Sequence, residues 1–396
     1  MARYPGLSGP AQALPASVFE KLMRRLATYQ GRVIPLHMGD THLAPPEKSR
    51  LGAPGFTTEP DADMYRYSPP PGKQQLLEAI ARKVHRDNGL STAGPDAVQV
   101  SSGATHALSC AVRSVVDAGE HMLLLAPYWP LIRGIALSSG VRPIDVPFSQ
   151  VLLREPDADP EALIERFVTP ETAAIYLCTP NNPDGKVFGE RELGAIARVA
   201  RRHDLWILSD EVYEHFLYDG RRHRSIGTLE GMEERTFTAF SFSKSYGQAG
   251  LRVGYVVAPP PAIAAVRKMS NHSVYCVPRA MQRAALMALE HGDEFLAHAR
   301  ATYQSARDFA HGKLSDLALL PEGSTYLWLD LSRYLGPGEE SAFDLLERMA
   351  SEGVLLAPGG AFGHEFGRWA RLCFTSVTRE SLEEGVDRVR RVLDRT

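Results

Sequence analysis

The chain has 396 residues, 44% of them hydrophobic and 23% charged, with a formal net charge of -3. That is the composition of a folded globular protein with ample core, and its near-neutral balance gives no electrostatic case for nucleic acid or an anionic membrane. No apolar run approaches a membrane span; the longest are short pieces such as 122–126. Residues 1–5 lack the apolar region of a signal peptide. Four scattered cysteines (Cys110, Cys178, Cys276 and Cys373) show no paired spacing, so reduced thiols in the cytoplasm are expected rather than a disulfide framework or a zinc site.

Residues 18–29 read as one amphipathic helix. The run 32–38 leads into Gly39 and Asp40, where the glycine is either a plain turn or a point of close backbone approach. A proline-rich, aromatic stretch over 64–72 reads as a stiff extended loop. On it Tyr67 is either an interface anchor or a local packing residue. A helix follows over 73–87. A strand over 97–101 then feeds Ser102-Gly103-Ala104-Thr105 and a helix to 116. The free N–H groups and positive end of such a helix suit an anion.

A buried strand over 121–126 ends at Pro127-Tyr128-Trp129-Pro130, and an apolar run over 173–178 ends at Thr179-Pro180-Asn181-Asn182-Pro183-Asp184-Gly185. By composition the latter is a turn, with Asn182–Pro183 a candidate cis bond. A helix over 190–203 leads to a strand over 205–208 and then Ser209-Asp210-Glu211-Val212-Tyr213. A carboxylate at the C-terminal end of a central strand lies where α/β sheets bind ligands; the alternative for Asp210 is a helix N-cap.

The strand predicted over 236–240 is followed by Ser241-Phe242-Ser243-Lys244-Ser245-Tyr246-Gly247-Gln248-Ala249-Gly250-Leu251-Arg252-Val253-Gly254-Tyr255. Here a single lysine sits among hydroxyls, with glycines and an arginine close behind. In a formed site, burial and nearby cations would favour its neutral amine, which can make a Schiff base with an aldehyde. The hydroxyls and Arg252 would suit a phosphate. The other reading is a strand end and Gly-rich turn with Lys244 exposed.

A strand over 253–258 comes next, then a segment over 270–277 holding Asn271, His272 and Tyr275. One long helical stretch is predicted from 279 to about 316, a strand over 325–331, a helix over 341–352 and a short strand over 354–357. A strand over 369–374 carries Arg371 inward, which is costly unless the charge is paired. A helix over 382–393 closes the pattern. The alternation of strands and helices from 97 to 258 predicts an open, mainly parallel sheet with helices on both faces.

The segment 241–255 resembles the lysine motif of fold-type I pyridoxal-phosphate aminotransferases, the aspartate-aminotransferase-like class I/II family. The turn at 179–185 resembles that family's Asn-Pro-Thr-Gly signature, with Asp184 in place of the threonine. The similarity runs from about Ile34 to Phe374. It implies an α/β protein: a three-layer α/β/α large domain over 46–285 with a mainly parallel sheet, plus a smaller α+β domain over 286–396 joined by the segment 1–45. It also implies a homodimer with shared active sites.

The cofactor implied is pyridoxal 5'-phosphate. Lys244 would hold it through a Schiff base, and Asp210 would pair with its ring nitrogen. Asn182 and Tyr213 would hold its ring oxygen, and Trp129 would stack on its ring. Gly103, Ala104, Thr105, Ser241, Ser243 and Arg252 would surround its phosphate, with Tyr67 reaching the phosphate of the neighbouring subunit. Arg371 would grip the substrate α-carboxylate, with Asn182 and the backbone of Gly39 beside it.

The activity implied is transfer of an amino group from an L-amino acid to a 2-oxo acid, with Lys244 as proton carrier. The alternative on the same scaffold is a carbon–sulfur lyase, decarboxylase or oxidase, since motifs do not show which substrate bond is aligned with the ring. A non-catalytic binding module would be favoured by loss of Lys244 or Asp210, and both are present. Thr105 stands where some aspartate-preferring members carry a lysine, which speaks against an aspartate-only substrate.

Overall fold

The computed structural model describes residues 6–15, 19–56, 61–90 and 94–396. In chain order its strands are β1 (Ile34–Pro35), β2 (Val98–Ser101), β3 (His121–Leu125), β4 (Arg142–Val146), β5 (Thr172–Cys178), β6 (Trp206–Asp210), β7 (Thr236–Ser241), β8 (Gly254–Val257), β9 (Tyr326–Asp330), β10 (Val354–Leu355), β11 (Ala357–Pro358) and β12 (Trp369–Cys373). Seven of them form one sheet in the order β2-β8-β7-β6-β5-β3-β4. Strand β8 runs antiparallel to both its neighbours, and the other adjacent pairs are parallel.

The strands of this sheet are apolar on both faces because both faces are covered. Met122, Leu124, Tyr176, Leu208 and Ala239 pack with the helices Gly103–Val115 and Pro130–Ser138. The alternate residues Leu123, Leu125, Ile175, Leu177 and Ile207 pack with the helix Glu190–Arg202 on the other side. Period-two alternation therefore reads as an unbroken apolar run in the sequence.

A second sheet joins β11, β12 and β9 antiparallel. Strand β1 pairs parallel with β10, Ile34 opposite Val354. Leu22, Ile34 and Leu36 from the N-terminal side share one hydrophobic cluster with Leu329, Leu355, Leu372 and Val386.

Several elements differ from the sequence expectation. The first amphipathic helix spans Glu20–Leu26, and the predicted start at Val18, like residues 1–5, lies outside the described residues. The stretch from 279 is two helices, Arg279–His291 and Asp293–Leu314, parted at Gly292. A Cβ at Gly292 would collide with the Ala288 carbonyl and the Tyr246 ring. The strand over 354–357 divides into β10 and β11. Strand β4 was not foreseen, as Arg-Pro-Ile-Asp-Val lacks an apolar run.

Among the described residues the cis bonds are Ala126–Pro127 and Thr179–Pro180, not Asn182–Pro183. The two forms of an X-Pro amide differ so little in energy that surrounding structure decides between them.

Strand β8 presses directly on the start of the helix Gly103–Val115. A Cβ on Gly254 would lie 2.7 Å from the Ala104 nitrogen and 2.8 Å from the Phe240 carbonyl oxygen. Both are backbone atoms that cannot rotate away. Gly254→Ala is therefore expected to lower stability by roughly 1–3 kcal/mol, read as a lower denaturant midpoint.

Candidate active site

The C-terminal ends of β5, β6 and β7 and the turn after β2 open onto one cleft. Its two ends differ in chemistry. At one end lie Ala104 and Thr105, from the first turn of the helix Gly103–Val115, with Ser241, Ser243 and Arg252. Gly103 has φ +74°, a conformation that favours glycine, and a Cβ there would strike the Arg252 guanidinium. Arg252 is itself left-handed, with φ 55°, and donates from Nη1 to the Ala249 carbonyl at 3.0 Å. Ser241 Oγ donates to Ser243 Oγ at 2.9 Å and accepts from the Ser243 amide at 3.1 Å. A guanidinium, two hydroxyls and a helix N-terminus are the donor set for a phosphate.

At the other end lies Lys244, on the short helix Phe242–Ser245. Its Nζ donates to the Gly39 carbonyl. Burial lowers the Lys244 ammonium below its ordinary value, and Arg371 and Arg252 push the same way against Asp40 and Cys373. A buried amine that gives up its proton easily is a nucleophile. A Cβ at Gly39 would collide with the Tyr326 hydroxyl.

Asp210 is the last residue of β6 and is fully buried at the floor of the cleft. It accepts from the Tyr176 hydroxyl at 2.9 Å and from the Val212 amide at 3.4 Å. Burial pushes its carboxyl up to about 6. A cation docked against it would restore its charge.

Asn182 and Tyr213 complete the cleft wall, with Trp129 at the N-cap of the helix Pro130–Ser138. Asn182 Nδ2 lies 3.5 Å from Tyr213 Oη, which lies 2.7 Å from Tyr326 Oη. Arg371, on β12, donates to Asn182 Oδ1 at 2.9 Å and to the His37 carbonyl at 2.7 Å. Its guanidinium stands 4.2 Å from the Tyr326 ring centre and 4.9 Å from that of Phe362. Arg371 Nε is buried with no hydrogen-bond partner. His37 beside it is held neutral, its ring pushed down to about 4 by burial and then by Arg371. The site thus holds a cation with an unused donor.

Asp184 closes its turn, accepting from Asn181 Nδ2 at 2.9 Å and the Lys186 amide at 3.0 Å. Asn182 is left facing the cleft. Gly39 and Arg371 stand behind the lining, touching it through Lys244 and Asn182, and Tyr67 stands apart: it is 78% exposed, edge-on to Tyr275 at 5.2 Å between ring centres. Tyr326 and Tyr176 were not singled out from the sequence, because an aromatic in an apolar strand reads as core. Val212 and Ala249, also in the cleft lining, carry no side-chain signal.

These groups fit pyridoxal phosphate. The basic end suits its phosphate, Lys244 its aldehyde and Asp210 a protonated ring nitrogen, with the Arg371 guanidinium next to Asn182 as the nearest cation for a substrate carboxylate.

Known proteins point to the same chemistry. Residues 38–389 match the family described as Aminotransferase class I and II. A probable aspartate/prephenate aminotransferase of Thermus aquaticus is 34% identical over 337 residues, covering 83% of this chain and 84% of that one. Aromatic-amino-acid aminotransferase 2 of Thermococcus litoralis is 29% identical and covers 98% of both. The solved aspartate aminotransferase of Thermus thermophilus with maleate superposes with a TM-score of 0.88 at 30% identity, over 98% of this chain and 100% of that one. The chain belongs to the class I and II aminotransferases, and pyridoxal phosphate is its cofactor.

Proposed function

We propose that the enzyme moves the amino group of an L-amino acid to a 2-oxo acid, with Lys244 serving first as the cofactor's anchor and then as the proton carrier. When bound, the cofactor draws electrons from the substrate's α-carbon through its charged ring. Asp210 keeps the ring nitrogen charged. Asn182 and Tyr213 hold the ring oxygen, and Trp129 covers a ring face. Arg371 takes the substrate's α-carboxylate with its guanidinium. Lys244, its amine freed by the incoming substrate amine, would take the proton from the α-carbon and hand it to the carbon that had carried the cofactor's aldehyde, as base and then acid. The observation that carries the reading is one cleft holding a lysine biased toward its neutral form and an acid biased toward its protonated form, with an arginine bonded to the Asn182 that lines it.

The relatives' names cover aspartate, prephenate and aromatic amino acids. Thr105, uncharged at the helix start, supports a donor range not restricted to aspartate. The cleft then lies between a cofactor-holding part, 46–285, and a smaller part built from 1–45 and 286–396; the shared cluster around Ile34 and Leu355 supports that division. The enzyme is read as a homodimer in the cytoplasm. Exposed Tyr65 and Tyr67 support a covering second copy, and four unpaired cysteines suit a reducing compartment. Among the described residues no helix is long and apolar enough to cross a membrane.

Lys244→Ala is expected to lose trapping of the cofactor by borohydride, read by mass spectrometry, and to lose roughly 10²–10⁴-fold in kcat. Amino donor added alone to the parent enzyme is expected to convert the cofactor's aldehyde form to its amine form in the absorption spectrum. Retention of the aldehyde form with release of ammonia would instead identify a lyase.

The raised Asp210 carboxyl sets a pH dependence. Folded, it keeps its proton up to about pH 6, while an unfolded aspartate loses it near 3.8. The cofactor-free protein therefore loses stability from this group as pH rises through that window. Relative to the parent, cofactor-free Asp210→Asn is expected to gain about 3 kcal/mol above the window and little below it, read from unfolding midpoints.

Tyr67 provides a test of the dimer. Lys244→Ala subunits mixed with Tyr67→Ala subunits are expected to regain roughly a quarter of parental activity, as half the dimers then carry one intact site. No recovery beyond the Tyr67→Ala activity would place Tyr67 in its own subunit's site.

A further inference from the structure

We propose that Tyr176 is a positioning residue for the reaction: its hydroxyl, reaching across from the neighbouring strand, holds Asp210 ionised and aimed at the cofactor's ring nitrogen. This rests on the reading of Asp210 given above.

Register makes the contact. Strand β5 pairs with β6 so that Tyr176 lies opposite Leu208 and Cys178 opposite Asp210. Tyr176 and Asp210 therefore project from the same face of the sheet, one step apart along adjacent strands. Tyr176 has no solvent exposure, and its Oη lies 2.9 Å from Asp210 Oδ2. The one other donor to this carboxylate among the described residues is the Val212 amide, on the other oxygen at 3.4 Å, a long contact. One strong hydrogen bond thus fixes the carboxylate plane and leaves its remaining lone pairs to the cleft.

The chemistry of the partner matters too. A hydroxyl donates well to a carboxylate and poorly to a carboxylic acid, so the bond favours the ionised form. Tyr176 cannot take up the role of acceptor by ionising, since burial and then the Asp210 charge raise its own titration far above the ordinary range. The other titratable groups facing this part of the cleft are Cys178 on β5, Glu211 next in the chain, Tyr213 three residues on, and Lys244 and Arg252 across the cleft. Glu211 is engaged elsewhere, with Ser209, Ser225 and His223. None of these donates to the carboxylate. If Tyr176 were lost, a carboxyl buried this deeply would be held ionised by one long amide contact. Its proton would then be held to higher pH, which weakens its hold on a charged ring nitrogen.

The test compares Tyr176→Phe and Asp210→Asn with the parent, each with and without cofactor. In the cofactor-free protein, the Asp210 carboxyl band is isolated by subtracting the Asp210→Asn infrared spectrum and followed against pH. Its midpoint is expected at higher pH in Tyr176→Phe than in the parent. Affinity for pyridoxal phosphate, measured by equilibrium dialysis, and kcat are each expected to fall roughly tenfold, with KM for the amino donor unchanged. Replacement of Tyr176 by 3-fluorotyrosine, a stronger donor of the same shape, moves the midpoint the opposite way. That arm decides the matter if Tyr176→Phe fails to fold. An unmoved midpoint and unchanged affinity in the Tyr176 variants, alongside a severe defect in Asp210→Asn, would overturn the role of Tyr176 alone. An Asp210→Asn enzyme with parental affinity and rate would overturn the reading of Asp210 itself.

Discussion

Two charges taken out of water govern this molecule. Asp210 is buried with hydrogen bonds but no cation, and half-buried Lys244 hydrogen-bonds a carbonyl, with Asp40 too weak a counter-charge to offset its desolvation. Neither arrangement is favourable in the protein alone, since a buried ionisable group without a counter-charge shifts toward its neutral form. Each becomes favourable once an aldehyde and a protonated ring lie between them. The surrounding fold holds both groups in place against that cost.

The loop after β6 shows how. Glu214, four residues beyond Asp210, is paired with Lys83 and Asn88 on the helix Gln74–Asn88, while Lys83 also lies over the Phe240 ring at 4.8 Å. Burial works against the Glu214 charge, but Lys83 overcomes it and holds the carboxyl down to about 2. Glu211 is fixed by Ser209, Ser225 and His223. Two buried anions satisfied on the far side therefore pin the stretch that presents Asp210 and Tyr213 to the cleft. Breaking such a pair would leave a charge uncompensated, which is far more damaging than never having had it.

What the sequence makes legible follows from how unusual a residue is in its setting. A lysine among serines, a carboxylate at a strand end and an arginine in an apolar strand each violate the local pattern, and all three lie around one cleft. The alternating sheet was legible because runs of Val, Ile and Leu broken by small-residue turns have few other uses. Tyr176 and Tyr326 break no pattern; only strand register sets one beside Asp210 and the other beneath Arg371. Gly292 likewise looks like any helical glycine until Tyr246 is seen pressed against it. The same holds for the cis bonds, which depend on packing rather than on the residues flanking them.

The pairing of Ile34 with Val354 bears on how the molecule comes into being. The N-terminal segment supplies the Gly39 carbonyl to Lys244 and the His37 carbonyl to Arg371. Its strand partner lies far downstream, on the other side of the whole seven-stranded sheet in sequence. A nascent chain can close the seven-stranded sheet and its phosphate cradle while its leading end still trails unpaired, because contacts this distant in sequence form late. Assembly of the carboxylate grip is thus deferred until the residues around Val354 and Arg371 have been made, after the cofactor's own half of the cleft has taken shape.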